Sequence, residues 1–365
     1  MSNLQEFKCP NCGGSVEFDP HAQKLKCPYC DSEFEVESLK EYGQQLESEQ
    51  ESKLEWNQDL GSTWQEDEID KMRLYVCQSC GGEIVTDDTT AATMCPYCGN
   101  AVVVNENFKA DLRPDLVIPF RLDKQQAKQM LMNHYKGKKL LPKYFKNENI
   151  IEEIKGIYVP FWLFDAEVDA KMRYKGTRTR FWSNQNYDYT ETSFYAIVRE
   201  GNIGFTKVPV DGSSKISDEL MEAIEPFDIK EATDFQTAYL AGYFADRYDV
   251  DMEQSIDRAN QRIVQSTKDA FATSASGYGS LVCEHAGIHL DNNKVQYALY
   301  PVWLLTTKWQ GKNYTFAMNG QTGKFVGNLP CDRKAALTWF IGISLISMIV
   351  FYVVILLLWN AGILG

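Results

Sequence analysis

The chain has 365 residues, with 37 lysines and arginines against 50 aspartates and glutamates, which gives a formal net charge of −13. This excess of acid argues against a general nucleic-acid binder, because such proteins need cations to displace counterions from phosphate. A hydrophobic content of 44% excludes a wholly disordered chain and a membrane protein with many spans. The length indicates two to three folding units.

The N-terminal region contains a cysteine pattern that occurs twice. Each copy consists of two Cys-x-x-Cys pairs separated by fourteen residues, and every cysteine of the first copy recurs 68 positions later. A repeat of this kind indicates a duplicated structural unit. The first copy comprises Cys9, Cys12, Cys27 and Cys30, and the second comprises Cys77, Cys80, Cys95 and Cys98.

These paired turns predict two zinc ribbons, each with one structural Zn²⁺. Two Cys-x-x-Cys turns can place four thiolates tetrahedrally around the metal, and such a site has no open position for a substrate. Glycine suits the tight turn at Gly13, Gly81 and Gly99, whereas Asp31 occupies the equivalent position of the remaining turn. Disulfides are not expected, because they would need an oxidising compartment. A thioredoxin-like redox pair is not expected either, because it would need a single Cys-x-x-Cys motif at the start of a helix.

The sequence predicts an α+β protein with five segments. Most of the negative charge lies in residues 41–70, which hold ten acids and one base and are expected to form a solvated helix or flexible spacer. Replacing Cys95 and Cys98 with Ser is expected to unfold the second ribbon alone. The five segments are a first zinc ribbon at 1–38, an acidic linker at 39–72, a second zinc ribbon at 73–106, a mixed strand and helix domain at 107–332, and a transmembrane helix at 335–359.

Apolar and aromatic patterns predict the elements of the mixed domain. Amphipathic spacing predicts a helix over residues 123–135. Runs rich in Tyr, Trp, Ile and Val predict strands at 157–164, 194–198 and 297–307. Residues 230–273 have helical spacing throughout.

Two features of the predicted strands could suggest a ligand site. Residues 319–324, Asn-Gly-Gln-Thr-Gly-Lys, superficially resemble a phosphate-binding loop, but the glycine spacing is wrong and Phe325 replaces the Mg²⁺-binding Ser or Thr. A hairpin turn is therefore predicted there. Trp162 and Trp303, each in a Pro-x-Trp-Leu segment, could line an aromatic groove, although the core is the favoured place for such side chains on strands.

Cys283, His285 and His289 lie close enough in sequence to suggest another metal site. A zinc-binding helix of the HExxH type would need Glu after His285, where Ala286 stands, and Gly287 weakens any helix. We therefore predict a strand-to-loop segment with ordinary packing.

Two basic stretches stand out in this acidic chain. Beside a membrane anchor they could contact anionic headgroups, at roughly 1 kcal/mol per well-placed cation. Solvated faces that balance nearby acids are the favoured interpretation. The first stretch contains Lys136, Lys138, Lys139, Lys143 and Lys146, and the second contains Lys171, Arg173, Lys175, Arg178 and Arg180.

The C-terminal segment predicts a tail anchor. Residues 337–359 are predominantly apolar and long enough to cross a hydrocarbon layer of about 30 Å, with Trp339 and Trp359 near the two ends, where such rings prefer the interface. Arg333 and Lys334 precede the span and nothing charged follows, which predicts a single-pass protein of the cell membrane with most of the chain in the cytoplasm. No comparable stretch occurs at the N-terminus, so no cleaved signal peptide is expected.

Taken together, the double ribbon, the Pro-x-Trp-Leu strands, the turn at residues 319–324 and the C-terminal anchor resemble a family of bacterial TFIIB-type-like zinc-ribbon, tail-anchored membrane proteins. Genes of this family often neighbour those of phage-shock protein A, SPFH or flotillin-like proteins and TPM-domain proteins. The resemblance covers nearly the whole chain, and it carries over only the eight cysteines as functional residues. It implies an adaptor that recruits a phage-shock-type, membrane-remodelling partner at the inner leaflet during envelope stress.

The sequence thus favours a non-enzymatic, membrane-anchored adaptor, with the acidic segment at 41–70 as one candidate contact for a helical partner. The alternative is a zinc-ribbon nucleic-acid-binding factor of the replication or transcription type, tethered to the membrane. Net acidity and the anchor count against that alternative. The sequence has no recognisable nucleotide loop, nucleophile elbow or catalytic dyad, so no enzymatic activity is expected, and an unrecognised activity of the mixed domain at 107–332 is the remaining alternative.

Overall fold

A computed structural model describes residues 7–47, 51–57, 61, 63–105, 112–151 and 153–360. It confirms a mixed α+β architecture with two groups of four cysteines in the N-terminal region and one long apolar C-terminal helix. The strands are β1 (Glu17–Asp19), β2 (Lys24–Lys26), β3 (Glu33–Phe34), β4 (Met72–Val76), β5 (Glu83–Asp87), β6 (Val103–Asn105), β7 (Leu116–Val117), β8 (Lys155–Ser183), β9 (Asp188–Asp211), β10 (Thr233–Asp234), β11 (Phe244–Asp246), β12 (Ser280–Trp309), β13 (Lys312–Asn319) and β14 (Phe325–Gly327). The α-helices are α1 (Val36–Glu47), α2 (Glu66–Ile69), α3 (Lys124–Tyr135), α4 (Glu148–Ile151), α5 (Asp218–Ile224), α6 (Met252–Ser274) and α7 (Arg333–Asn360).

Contacts within the chain define two compact units, and β8, β9, β12 and α6 contribute residues to both. Unit 1 comprises Met1–Asn57, Asp165–Thr206 and Arg258–Lys294. Unit 2 comprises Gln58–Phe164, Lys207–Asp257 and Val295–Gly365. The first cysteine group therefore belongs to unit 1, and the second belongs to unit 2.

In unit 1, the first cysteine region has a small sheet of its own. Strands β1, β2 and β3 pair antiparallel in that order, and Leu25 of the middle strand lies opposite both Phe18 and Phe34. In the same unit, every second side chain of β8 from Val168 to Tyr174 is buried, because successive strand residues face opposite sides. The Tyr174 hydroxyl donates to the Lys268 carbonyl of α6 at 3.2 Å, so this face of β8 packs on that helix.

Unit 2 is organised around a mixed sheet with the strand order β10-β7-β12-β8-β11-β5-β4-β6. Strand β11 is parallel to β8, and β7 is parallel to β12. Strands β5, β4 and β6 extend the sheet by antiparallel pairing, beginning where Ala245 of β11 lies opposite Val85 of β5. Because β4 and β5 flank the first pair of cysteines in the second group, that group is built into the main sheet of unit 2.

The core of unit 2 confirms the predicted positions of its two strand tryptophans. Trp162 and Trp303 are both buried. Trp162 Nε1 donates to the Val250 carbonyl at 2.9 Å, and Trp303 Nε1 donates to the Leu122 carbonyl at 3.2 Å. Both indole N–H groups are thus satisfied, as buried donors must be.

The predicted helix at residues 123–135 is confirmed as α3. Asp123 caps it, because its Oδ1 atom accepts a hydrogen bond from the Gln126 amide at 2.8 Å while Gln126 Oε1 accepts from the Asp123 amide at 2.9 Å. The predicted strands at 157–164, 194–198 and 297–307 are also confirmed, each as part of a much longer strand.

The helical prediction for residues 230–273 is wrong in its first half. That part contains a short 3-10 helix at Thr237–Leu240 and then β11, and α6 begins only at Met252. Gly242 has a φ of 81°, in the left-handed region, which ends any helix there. Pairing of β11 with β8 and β5 then holds the next residues extended.

In unit 1, residues 51–57 of the acidic segment correct the prediction of a solvated helix or spacer, whereas residues 41–47 are the helical end of α1. Residues 51–57 are not helical, and Lys53 forms a parallel β-bridge with His289. The Trp56 side chain is buried, and its Nε1 atom donates to Asn260 Oδ1 at 2.8 Å. A tryptophan that buries its ring fixes this stretch to the rest of its unit.

Within the described chain, α7 is the one helix long and apolar enough to cross a membrane, and none of the residues in its most apolar stretch is buried. At 1.5 Å per residue its 28 residues extend about 42 Å, and they include the predicted 335–359 span. Asp332 caps the helix, because its Oδ1 atom accepts from the Lys334 and Ala335 amides at 2.9 and 3.3 Å.

Candidate metal centres

The four Cys-x-x-Cys turns share one backbone geometry. In the first, the Cys9 amide donates to the Gly14 carbonyl at 2.7 Å and the Gly13 amide donates to the Cys9 carbonyl at 2.8 Å. The turns that begin at Cys27, Cys77 and Cys95 repeat both bonds at 2.7–2.9 Å. This geometry requires a positive φ after the second cysteine, which is 76° at Gly13, 56° at Asp31, 69° at Gly81 and 72° at Gly99.

The turns bring the eight predicted cysteines together in two groups of four. Within each group the sulfur atoms all lie within 4.8 Å of one another. In the first group the Sγ atoms of Cys12 and Cys27 are 3.4 Å apart, and in the second those of Cys77 and Cys98 are 3.5 Å apart. Zn–S bonds of about 2.3 Å give a tetrahedron with edges of about 3.8 Å. Both groups therefore fit a metal ion held by four thiolates.

The protonation of the thiols is consistent with sites that need a cation. Burial raises the pKa of Cys9 and of Cys95. In contrast, hydrogen bonds from the Ser32 hydroxyl and amide lower the pKa of Cys30 to about 6, and the Asn100 amide helps to lower that of Cys98 to about 7 despite burial. Four crowded thiols cannot all ionise without compensation, and a bound divalent cation supplies it.

The two groups differ in their surroundings. Tyr29, between the last two cysteines of the first group, has 75% of its surface exposed, whereas its counterpart Tyr97 in the second has only 8% exposed. Cys77, Cys95 and Tyr97 belong to the same hydrophobic cluster as Ile157 of β8. The second group is therefore part of the core of unit 2, while the first group has an open side.

The remaining sequence candidates do not form comparable sites in the described residues. Cys283, His285 and His289 lie on β12, where residues two apart on one face are separated by about 6.6 Å, so the outer two are too far apart to share one ion. The turn at residues 319–324 is the predicted hairpin between β13 and β14. In this turn, Asn319 Oδ1 accepts from the Gln321 and Thr322 amides at 2.9 and 3.0 Å.

Sequence reasoning missed a buried acid beside the second cysteine group. Asp246 of β11 is buried, accepts a hydrogen bond from Ser213 Oγ, and lies close to the Tyr97 phenol. Burial raises the pKa of Asp246 to about 7 although the Ser213 hydroxyl favours its ionised form. No local signal marks this residue, because it becomes buried only when β11 enters the sheet between β8 and β5.

No protein-family profile matches the sequence, and no solved structure matches it. A protein of Bacillus subtilis (strain 168), described as the uncharacterized protein YdjG, is 34% identical over 338 residues. The alignment covers 93% of this chain and 94% of that relative.

Proposed function

We propose that this chain, which belongs to the same family as YdjG of Bacillus subtilis, is a non-enzymatic membrane-anchored adaptor with two structural zinc ribbons. The observation that carries the proposal is the combination, in one chain, of two four-cysteine groups with a long apolar helix whose most apolar stretch has no buried residue. Four thiolates leave a Zn²⁺ ion no position for a substrate, so the metal would hold the chain together and take no part in a reaction. Cys9, Cys12, Cys27 and Cys30 would bind one ion, and Cys77, Cys80, Cys95 and Cys98 the other.

The proposed location is the cell membrane, with most of the chain in the cytoplasm. Helix α7 would be the single span. Arg333 and Lys334 precede the apolar stretch, and residues 360–365 have no Lys or Arg, which supports this orientation by the positive-inside rule.

The proposed partners are membrane-stress proteins of the phage-shock protein A, SPFH or TPM-domain type, which the family resemblance implies. An exposed aromatic surface in unit 1 supports a role in protein binding. The Phe181 and Tyr187 side chains near the end of the β8–β9 hairpin are largely exposed. Nearby, Trp182 stacks on Tyr189 with ring centroids 5.4 Å apart, and the Arg180 guanidinium lies 5.5 Å from the Trp182 ring. Tryptophan, tyrosine and arginine dominate the energetics of protein interfaces.

Crosslinking in intact cells, followed by identification of the proteins that copurify with the full chain, tests the adaptor. We expect a phage-shock protein A-like, SPFH or TPM-domain protein to be enriched, and its recovery to fall in the double variant Phe181→Ser, Trp182→Ser. Phe18→Ser replaces an exposed aromatic residue of β1 and should leave the recovery unchanged.

Two further readouts separate the parts of this proposal. A variant that ends before Arg333 should move to the soluble fraction, and continued membrane retention would reveal another anchor. Recovery of nucleic acid with salt-dependent retention, and of no membrane-stress protein, would overturn the adaptor role in favour of the nucleic-acid alternative.

A further inference from the structure

A surface cavity of about 540 Å³ lies in unit 2 where the chain enters α7. The loop after α3 forms one wall, and residues 329–331 with the first turns of α7 form the other. The Asp332 amide donates to the Leu140 carbonyl at 2.8 Å, which fixes the loop to the start of the helix. The lining residues are Gly137, Lys138, Lys139, Leu140, Leu141, Leu329, Pro330, Cys331, Trp339 and Ile343.

The charge of this cavity comes from the first basic stretch. Lys139 Nζ lies 4.1 Å from the centroid of the Trp339 ring, and Lys138 Nζ contacts His134 Nε2. Burial lowers the pKa of Lys138 and, together with the Lys138 charge, that of His134, so a neutral imidazole can accept from the ammonium. Residues 136–146 contain no acid. The one carboxylate at the start of α7, that of Asp332, is engaged by the Lys334 and Ala335 amides.

The helix sets the depth of the cavity relative to a bilayer. Trp339 and Trp359 are twenty residues apart, or about 30 Å along the axis, which equals the thickness of the hydrocarbon layer. Trp339 then lies at the boundary between hydrocarbon and headgroups, where tryptophan is enriched. Because Lys139 lies over the Trp339 ring, its ammonium would be at the level of the lipid phosphates.

We propose that this cavity binds the headgroup of an anionic phospholipid, with the ammonium groups of Lys138 and Lys139 on the phosphate. The apolar part of the cavity distinguishes a lipid from free phosphate. Leu140, Leu329 and Ile343 line it, and Ile343 continues into the exposed apolar surface of α7, along which an acyl chain would lie. The proposal rests on α7 as the membrane anchor and adds a ligand to that anchor.

Two arginines of the second basic stretch, in unit 1, have partners within the unit. The Arg173 side chain is buried, pairs with Glu284 and donates to the Tyr42 hydroxyl at 3.1 Å. Arg178 Nε donates to the Gly277 carbonyl at 3.0 Å. The sequence gives no reason to separate the two stretches, whereas the structure places the first beside a cavity at the start of the candidate span.

The test measures the affinity of the full chain in mild non-ionic detergent for phosphatidylglycerol, phosphatidylcholine and inorganic phosphate. Wild type should prefer phosphatidylglycerol, and the variant Lys138→Gln, Lys139→Gln should bind it roughly 10- to 30-fold more weakly. Lys138→Arg with Lys139→Arg should retain the preference. Arg178→Gln with Arg180→Gln removes the same charge from the other basic stretch and should also leave it unchanged.

Three outcomes would overturn the lipid site. They are equal affinity for the anionic and zwitterionic lipids, equal loss in the two glutamine variants, and binding of inorganic phosphate as tight as that of phosphatidylglycerol. Fractionation of cells that express each variant distinguishes failure of the lipid site from failure of the membrane anchor. The Lys138→Gln, Lys139→Gln variant should stay in the membrane, whereas a wild-type chain in the soluble fraction would refute the anchor itself.

Discussion

Asp31 is the residue at which the two cysteine groups differ in backbone strain. Its φ of 56° lies in the left-handed region, where an L-residue other than glycine is strained. Its ion pair with Lys26, at 3.6 Å, offers little compensation, because the Asp31 carboxylate is largely exposed to solvent. We therefore expect Asp31→Gly to stabilise the first group by roughly 0.5–1 kcal/mol, measured as tighter retention of metal against a competing chelator.

Gly99 provides the matched control in the second group. It occupies the equivalent turn position with a φ of 72°, and a Cβ atom added there would meet nothing within 4 Å. Gly99→Asp should thus introduce the backbone strain alone and weaken metal retention by the second group. If Asp31→Gly instead weakened retention by the first group, strain at this turn would not be the difference between them.

The raised pKa of Asp246 predicts that the folded chain loses stability as the pH rises. An aspartate in an unfolded chain ionises at about pH 4, whereas burial raises the pKa of Asp246 in the folded chain to about 7. Between these values the folded state holds the extra proton, so the free energy of unfolding falls as the pH rises, by up to ~4 kcal/mol in total. Asp246→Asn should remove this loss, and its advantage over wild type in urea unfolding should grow from about pH 5 to about pH 8.

Asp249 is the control with the opposite sign. Burial acts to raise its pKa, but hydrogen bonds from Ser214 and the charge of Lys215 lower it below its usual value. A lowered pKa stabilises the folded state above the unfolded pKa, and this stabilisation is lost as the pH falls through the folded value. Asp249→Asn should therefore be less stable than wild type at about pH 8, by a margin that shrinks in acid. The titratable groups that act on Asp246 are Tyr97, Lys215 and Asp249. If the difference in the free energy of unfolding between Asp246→Asn and wild type did not change with pH, ionisation of Asp246 would be contradicted.

At the scale of elements, the sequence predicted what depends on neighbouring residues and missed what depends on pairing. Helix α3 carries its own signals, namely amphipathic spacing and the reciprocal cap between Asp123 and Gln126. Strand β11 has only three residues and exists because β8 and β5 pair with it on either side. Apolar spacing alone could not distinguish that strand from the beginning of a helix.

The same contrast applies to the candidate sites. The eight cysteines were predictable because each group of four comes from two local turns whose spacing is visible in the sequence. The cavity beside α7 combines Lys139 with Trp339, which are two hundred positions apart. Ser213 and Asp246 likewise meet only through the sheet of unit 2. A single sequence contains no periodic signal for such contacts.

At the scale of the whole molecule, the two metal-binding groups have different structural roles despite their shared spacing. The first group belongs to unit 1 and holds a three-stranded sheet that is separate from the larger sheet. The second is part of the hydrophobic core of unit 2 and is joined to its central sheet through β5 and β11. This arrangement changes the sequence-based expectation that the second group unfolds alone, because removing its metal should also weaken the sheet beside it.

Paired substitutions test this asymmetry. Wild type should contain about two zinc ions per chain, and both Cys9→Ser, Cys12→Ser and Cys95→Ser, Cys98→Ser should reduce the content to about one. In the second variant, hydrogen exchange should also accelerate in β5 and β11, because the lost metal no longer supports the core that contains Cys77 and Tyr97. In the first variant, faster exchange should be confined to unit 1. Equal protection of β11 in both variants would mean that the core of unit 2 holds without its metal, and a zinc content near zero in reduced wild type would reject zinc at both groups.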